Sequence, residues 1–352
     1  MKVGILGYAR AGKTTIFNAL TEANAPVGAF GSRDANLAVL KVPDSRVVQL
    51  AEMYSPKKIT YAEFQFVDLA PNESAGDEKA LDGAALAELK NVEALVHVVR
   101  CFDNPEVMHP LGSVDAVRDC RAMDDELLLS DMEIIEKRVA RLEKENKKEA
   151  EYQVLQRCMA GIEAGTPIRA MELSEQEARE IAGYGFLSQK PIMLVGNYGE
   201  ESIGEDDPTG LETYAAENGL TLVALCGAIE MEIAELSEED AEAFRADLGL
   251  GEQSRTRFLQ SAYDMLGLMS FLTAGEPEVR AWTIRKGTKA VDAAGVIHSD
   301  IQRGFIRAEI APYDGLVAAG SMPKLKEQGS VRLEGKEYIM QDGDVVLFRF
   351  NV

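Results

Sequence analysis

The chain has 352 residues, 46% of them hydrophobic, which allows a large core divided among two or three domains. A formal net charge of −22 excludes a protein that coats nucleic acid through a general basic surface, and no apolar run is long enough to predict a membrane span. The charge is uneven: residues 278–352 carry 11 Lys/Arg and 10 Asp/Glu, a balance of +1 that leaves −23 for residues 1–277, so any nucleic-acid contact is expected at the C-terminal end.

Val3, Ile5 and Leu6 form a short apolar run that predicts a buried parallel strand, broken by Gly7. Because the chain enters this strand at once, no secretory leader is expected, and the predicted location is cytoplasmic. Gly7 to Thr14 spells G-x-x-x-x-G-K-[ST], and Ile16-Phe17-Asn18-Ala19-Leu20 reads as the helix that should follow. Glycines at both ends let the backbone curl so that the N–H groups of Arg10, Ala11, Gly12, Lys13, Thr14 and Thr15 can face phosphate oxygens. Lys13 is expected to reach the β- and γ-phosphates of a nucleotide, and the Thr14 hydroxyl to bind Mg²⁺.

Residues 22–37 are rich in Gly, Ala and small polar residues, as expected of a loop in the place where nucleotide switches sense the γ-phosphate. Ser32 is the candidate there for a hydroxyl on the metal; a plain solvated serine is the alternative. Leu37 to Val42 and Phe64 to Leu69 read as strands, the second carrying Asp68 at its carboxyl end, where it would face the ligand crevice and hold a Mg²⁺-bound water. Lys13 and Asp68 are thus the candidate catalytic pair, and Thr14, Ser32 and Asp68 the candidate metal ligands.

A helix over Gly83 to Val92 and a buried strand over Ala94 to Arg100 follow, with His97 read as a core histidine. Leu127, Leu128, Ile134, Ile135, Val139 and Leu142 recur at helical spacing amid dense charge, which predicts a helical hairpin turning near residues 146–148. Ser174-Glu175-Gln176-Glu177 is a capping box. Strands follow at Pro191 to Gly196, ending in Asn197-Tyr198-Gly199-Glu200, and at Thr221 to Ala224. This alternation predicts an α/β fold with a doubly wound parallel sheet. From Val279 the period becomes two, with short strands at Val279 to Ile284, Gly304 to Ile310, Ser330 to Leu333, Tyr338 to Met340 and Val345 to Phe350, and a helix near Ile297 to Gln302. Cys101, Cys120, Cys158 and Cys226 lie too far apart for a zinc motif and are expected as reduced, buried thiols.

Together, the P-loop, Phe66-Val67-Asp68-Leu69-Ala70, His97-Val98-Val99-Arg100-Cys101-Phe102, Asn197 to Glu200, Cys226-Gly227-Ala228-Ile229-Glu230, Val279 to Ile284, Gly304 to Glu309 and Asp342-Gly343-Asp344-Val345 resemble the YchF family of Obg-like ATPases over essentially the full length. The resemblance implies a P-loop ATPase domain over 1–121 and 190–277, an inserted antiparallel helical hairpin over 122–189, and a TGS domain of β-grasp type over 278–352. It implies a slow, Mg²⁺-dependent ATPase switch that binds ATP and ADP and engages the ribosome or another RNA-bearing partner through the hairpin and the TGS domain.

It also bears on nucleotide choice. Related GTPases carry Asn-Lys-x-Asp where this chain has Asn197-Tyr198-Gly199-Glu200; the longer Glu does not keep the guanine-binding acceptor where the Asp holds it, and the resemblance implies ATP over GTP, with Asn197, Tyr198 and Glu200 as candidate base contacts. Two positions depart from the family. Pro71 stands where a glycine would offer the γ-phosphate an N–H, which leaves open a scaffold that senses ATP without hydrolysing it. Arg10 replaces an asparagine that helps some related GTPases hold potassium; its guanidinium either substitutes for that cation or points to solvent.

Overall fold

In a computed structural model of the chain, residues 1–21, 36–68, 80–146, 149–202, 205–248 and 254–351 are described. Ser32, the candidate metal ligand, and Pro71 lie outside them. In chain order the elements are β1 (Lys2–Leu6), α1 (Lys13–Thr21), β2 (Asn36–Val42), α2 (Ser45–Tyr54), β3 (Ile59–Thr60), β4 (Ala62–Asp68), α3 (Gly83–Leu89), β5 (Ala94–Cys101), α4 (Ala116–Lys144), α5 (Ala150–Glu163) and α6 (Glu175–Ile181). Then come β6 (Ile192–Tyr198), α7 (Leu211–Glu217), β7 (Thr221–Leu225), α8 (Gly227–Ala234), α9 (Glu238–Asp247), α10 (Ser254–Met265), β8 (Leu268–Ala274) and β9 (Val279–Arg285). The chain ends with α11 (Ala290–Ile297), α12 (Ser299–Arg303), β10 (Phe305–Pro312), α13 (Tyr313–Ala319), α14 (Met322–Glu327), β11 (Arg332–Glu334) and β12 (Asp344–Phe350).

Two compact units form, one from Met1–Val39 with Gln65–Arg257, the other from Leu40–Phe64 with Phe258–Val352. The first holds a sheet in the order β2-β4-β1-β5-β6-β7, in which β1 runs parallel to β4 and β5, and β6 parallel to β5 and β7. All eight residues of β5 are buried, as expected of a central parallel strand covered on both faces. Strand order reverses at β1: the chain first moves to β2 on one side and later to β5 on the other, which puts a ligand crevice beyond the carboxyl end of β1.

The predicted hairpin is α4 and α5. Asp115 caps α4 by accepting the Arg118 N–H at 3.0 Å, and Asn146, at φ 54°, follows its end in the left-handed region that asparagine tolerates. Leu128, Ile135 and Leu142 recur at heptad spacing and pack with Val154, Leu155, Cys158 and Ile162 of α5. Each such side chain contributes about 1.5–3 kcal/mol on full burial. Ser174 and Glu177 close the capping box at the start of α6.

The second unit carries a sheet in the order β11-β10-β12-β8-β9-β3, with Phe271, Phe305, Phe348 and α11 in its core. Residues 40–64 and 258–277, assigned from sequence to the ATPase domain, group with this unit. The reason is strand pairing: β8 bonds β9 and β12, and β3 runs parallel to β9 from Ile59 opposite Val279. The expected strand over Tyr338 to Met340 is a single bridge between Lys289 and Ile339. All four cysteines are free and buried, as expected.

Candidate functional site

The loop between β1 and α1 is forced into shape by glycines. Gly7 has φ 144°, and a Cβ there would lie 2.4 Å from the Val98 carbonyl oxygen of β5. Gly12 has φ 87°, and its Cβ would lie 2.3 Å from Asn197 Nδ2. Between them Arg10 takes φ 64° without being glycine. Because α1 starts at Lys13, the N–H groups of its first turn have no helical partner and face the loop, the arrangement that binds phosphate.

Lys13 folds back over this loop, donating from Nζ to the carbonyl oxygens of Gly7 and Tyr8 at 2.8 Å each. Burial pushes its ammonium down to about 8, against the pull of Asp68. Thr14 Oγ1 donates to Asp68 Oδ2 at 3.0 Å, and Asn36 Nδ2 approaches the same oxygen at 3.4 Å. Asp68 is 1% exposed, and burial holds its carboxyl above the ordinary value although Thr14, Lys13 and Asn36 pull it down. Its other oxygen, Oδ1, is buried without a hydrogen-bond partner among the described residues. A hydroxyl beside a carboxylate with an uncommitted oxygen is the donor chemistry a hard divalent cation takes, so the residues present fit Mg²⁺.

Asn197, on β6, is buried and engaged at both ends: Nδ2 donates to the Ala11 carbonyl at 3.0 Å, and Oδ1 accepts the Gly227 N–H at 3.0 Å. Its carboxamide therefore ties the phosphate loop to the first residue of α8. Tyr198 points the other way, as strand alternation requires, into the layer with Val99 and Cys101, and its hydroxyl lies 3.3 Å from Thr209 Oγ1. Glu200 is exposed at the start of a short 3-10 turn, near enough to Cys226 for its charge to help raise that thiol, behind the larger effect of burial. The structure thus brings Ala11, Gly12, Lys13, Thr14, Asp68 and Asn197 together, and leaves Tyr198 on the opposite layer.

Arg10 reaches out of the loop and donates from Nη1 to the Met108 carbonyl at 3.1 Å. The connection after β5 that carries Met108 is held by Arg100, which is 1% exposed and donates to the carbonyls of Phe102 at 3.1 Å and Val107 at 2.8 Å. Within that connection, buried His109 lies 2.9 Å from Asp119 by Nε2, and its ring sits 6.2 Å from that of Tyr8. Sequence reasoning missed this wall of the site, since neither Arg100 nor His109 stands in a recognisable spacing with the loop. His97 is buried under Gly7 and lowered to about 3, by burial first and then by Lys13 and Arg169, so it stays neutral, as a core histidine should.

A parallel sheet whose first strand runs through a glycine-bounded loop into a helix, with a threonine hydroxyl and a strand-end carboxylate converging beside it, defines a P-loop nucleotide-binding protein. The family described as 50S ribosome-binding GTPase matches residues 2–197, and the YchF-GTPase C-terminal family, described as Protein of unknown function (DUF933), matches residues 268–351. The chain is 40% identical to Ribosome-binding ATPase YchF of Bacillus subtilis (strain 168), over 100% of each chain. It is 37% identical to the protein of the same name from Escherichia coli O157:H7, covering 100% of this chain and 99% of that one. The structure of the Schizosaccharomyces pombe YchF GTPase, 31% identical, aligns with TM-score 0.86 over 99% of this chain and 97% of its own. The chain belongs to the YchF family.

Proposed function

We propose that this protein is a slow, Mg²⁺-dependent ATP hydrolase that acts as a nucleotide-controlled switch in the cytoplasm and binds the ribosome, as the name of its bacterial relatives says of them. The observation that carries the reading is the convergence of Lys13, Thr14 and Asp68 at the mouth of a loop held by Asn197. In this reading the loop N–H groups bind the phosphates, and Lys13 leaves the Gly7 and Tyr8 carbonyls to place its ammonium on them. Thr14 and Asp68, with Ser32, would hold Mg²⁺, which supplies charge neutralisation on the phosphate oxygens. Lys13 and Asp68 position and neutralise; neither forms a bond to phosphorus.

The base falls to the segment after β6. With the Asn197 carboxamide committed to Ala11 and Gly227, Glu200 is left to discriminate, and its place where guanine binders carry Asp supports ATP over GTP. The helical hairpin and the C-terminal unit, read as a TGS domain, are the proposed ribosome-binding parts.

Phosphate release from ATP and GTP with Lys13→Ala as the blank, titration with labelled nucleotides, and co-sedimentation with ribosomes test the reading. The expected result is ATP binding at least tenfold tighter than GTP, and turnover that the blank lacks. Equal or tighter GTP binding overturns the nucleotide assignment, and binding without phosphate release leaves a sensing scaffold.

A further inference from the structure

Helix α4 does two jobs along one uninterrupted length. Near its start Met123 and Leu127 pack in one core with Tyr8 of the phosphate loop and with Leu81; further on, Leu128, Ile135 and Leu142 belong to the core of the hairpin. At the junction stands Glu126. Its two carboxylate oxygens accept the backbone N–H groups of successive residues, Ala80 at 2.8 Å and Leu81 at 2.9 Å. Those residues lead directly into α3, which Asp82 caps by accepting the Ala85 N–H at 2.7 Å.

This contact is more than a surface embellishment. A carboxylate taking two adjacent backbone donors is a charge-assisted, bidentate grip, shorter and stronger than a neutral pair. It joins residues 46 and 45 positions apart. Leu81, whose N–H is held, is itself buried beside Tyr8. Burial is the main reason the Tyr8 phenol is raised to about 12, and the Glu126 charge raises it further. One side chain on α4 therefore holds Ala80 and Leu81, and Leu81 shares a buried core with Tyr8 of the loop between β1 and α1.

We propose that Glu126 is a positioning residue that couples the nucleotide site to the helical hairpin, by fixing Ala80 and Leu81 to the helix that forms the hairpin's first limb. The proposal rests on the reading of the loop as a nucleotide site, and not on hydrolysis. Ligand binding that shifts Tyr8 with the phosphate loop acts on the core Tyr8 shares with Leu81, Met123 and Leu127, Glu126 keeps Ala80 and Leu81 moving with α4, and the long helix carries the displacement to the packed pair of α4 and α5.

Hydrogen–deuterium exchange on the full chain, with and without a non-hydrolysable ATP analogue, tests this. In the parental protein the analogue is expected to slow exchange at residues 80–89 and in α5. In Glu126→Ala the response of α5 should fall at least threefold, while analogue affinity, measured by titration, stays within about threefold of parental. Glu126→Gln keeps a neutral acceptor and should give an intermediate response; it carries the comparison alone if the alanine variant does not fold. An unchanged α5 response in the variant that folds, or an affinity that falls in step with the response, overturns the proposal, as does a parental hairpin indifferent to nucleotide. A parental protein that shows the response yet releases no phosphate sinks the hydrolase reading and leaves the coupling intact.

Discussion

Thr14 Oγ1 donates to Asp68 Oδ2 across 3.0 Å, and the two meet because β4 lies beside β1 with Asp68 in register with Ile5. Burying the Asp68 carboxylate is costly to the ligand-free fold, and the Thr14 hydrogen bond offsets only part of it. Burial raises the Asp68 carboxyl, so the stability it supports is present below its unfolded pKa and is lost as pH rises through the raised folded value. Asp68→Asn is therefore expected to raise the melting temperature of the ligand-free protein by a few degrees at pH 7, with the gain vanishing toward pH 3. The same variant should lose the difference between ATP affinity in Mg²⁺ and in EDTA. Calorimetry and nucleotide titration check both; a variant that melts lower at pH 7 yet keeps its Mg²⁺ response would remove Asp68 from the metal site.

Lys13 carries the complementary prediction. Its folded value of about 8 lies below its ordinary one, so the ammonium is disfavoured by the ligand-free fold and favoured once phosphate arrives. Triphosphate binding should then take up a proton between about pH 8 and 10, and affinity should fall about tenfold per pH unit above the folded value until the pKa of the complex is reached. Isothermal titration in buffers of different ionisation enthalpy reads the uptake directly. Lys13→Ala should bind no triphosphate at neutral pH and show no proton uptake.

How much of this was legible in the sequence depends on the range of the interaction. The phosphate loop, β4 ending in Asp68, and the α4–α5 hairpin follow from local spacing, because each is specified by residues within a few turns of one another. The short helices α2, α11, α13 and α14 and the strand β8 did not show, since stretches such as Ala290–Ile297 mix small and β-branched residues without a clear period and are held by packing on a sheet formed elsewhere in the chain. Asn197 was legible as a site residue but not as a brace between Ala11 and Gly227, and Glu126 left no signal, because its partners are backbone N–H groups that any residue would supply.

Asn197→Ala is expected to damage both fold and binding. It leaves the Ala11 carbonyl and the Gly227 N–H without partners, at about 1–3 kcal/mol for each group that stays buried and unpaired. Nucleotide affinity should fall more than tenfold, since the loop loses the tie that sets its curvature. Asn197→Asp keeps the acceptor for Gly227 but sets a buried carboxylate oxygen against the Ala11 carbonyl, so at pH 7 its melting temperature should be no higher than that of the alanine variant. Thermal melts with and without ADP separate the two effects; an alanine variant with parental ADP affinity would show that the loop holds its shape unaided.

Arg10 carries a prediction about monovalent cations. In the ligand-free geometry its guanidinium is turned to the Met108 carbonyl, 3.1 Å away, and the backbone sits at φ 64°, where asparagine is tolerated better than most residues. Arg10→Asn should therefore fold, which makes it a clean test of what the guanidinium does. If Arg10 swings from Met108 to the phosphates when ATP binds, it supplies a permanent positive charge, and parental turnover should be the same in K⁺ and in Na⁺ at equal ionic strength. The asparagine variant should then slow in Na⁺ and recover at least in part in K⁺, with a cation from solution taking the place of the side chain. Phosphate release measured in the two salts reads this directly. A parental enzyme that already requires K⁺ contradicts the cation role, and a variant with unchanged rates in both salts means that Arg10 serves only to hold the loop to Met108.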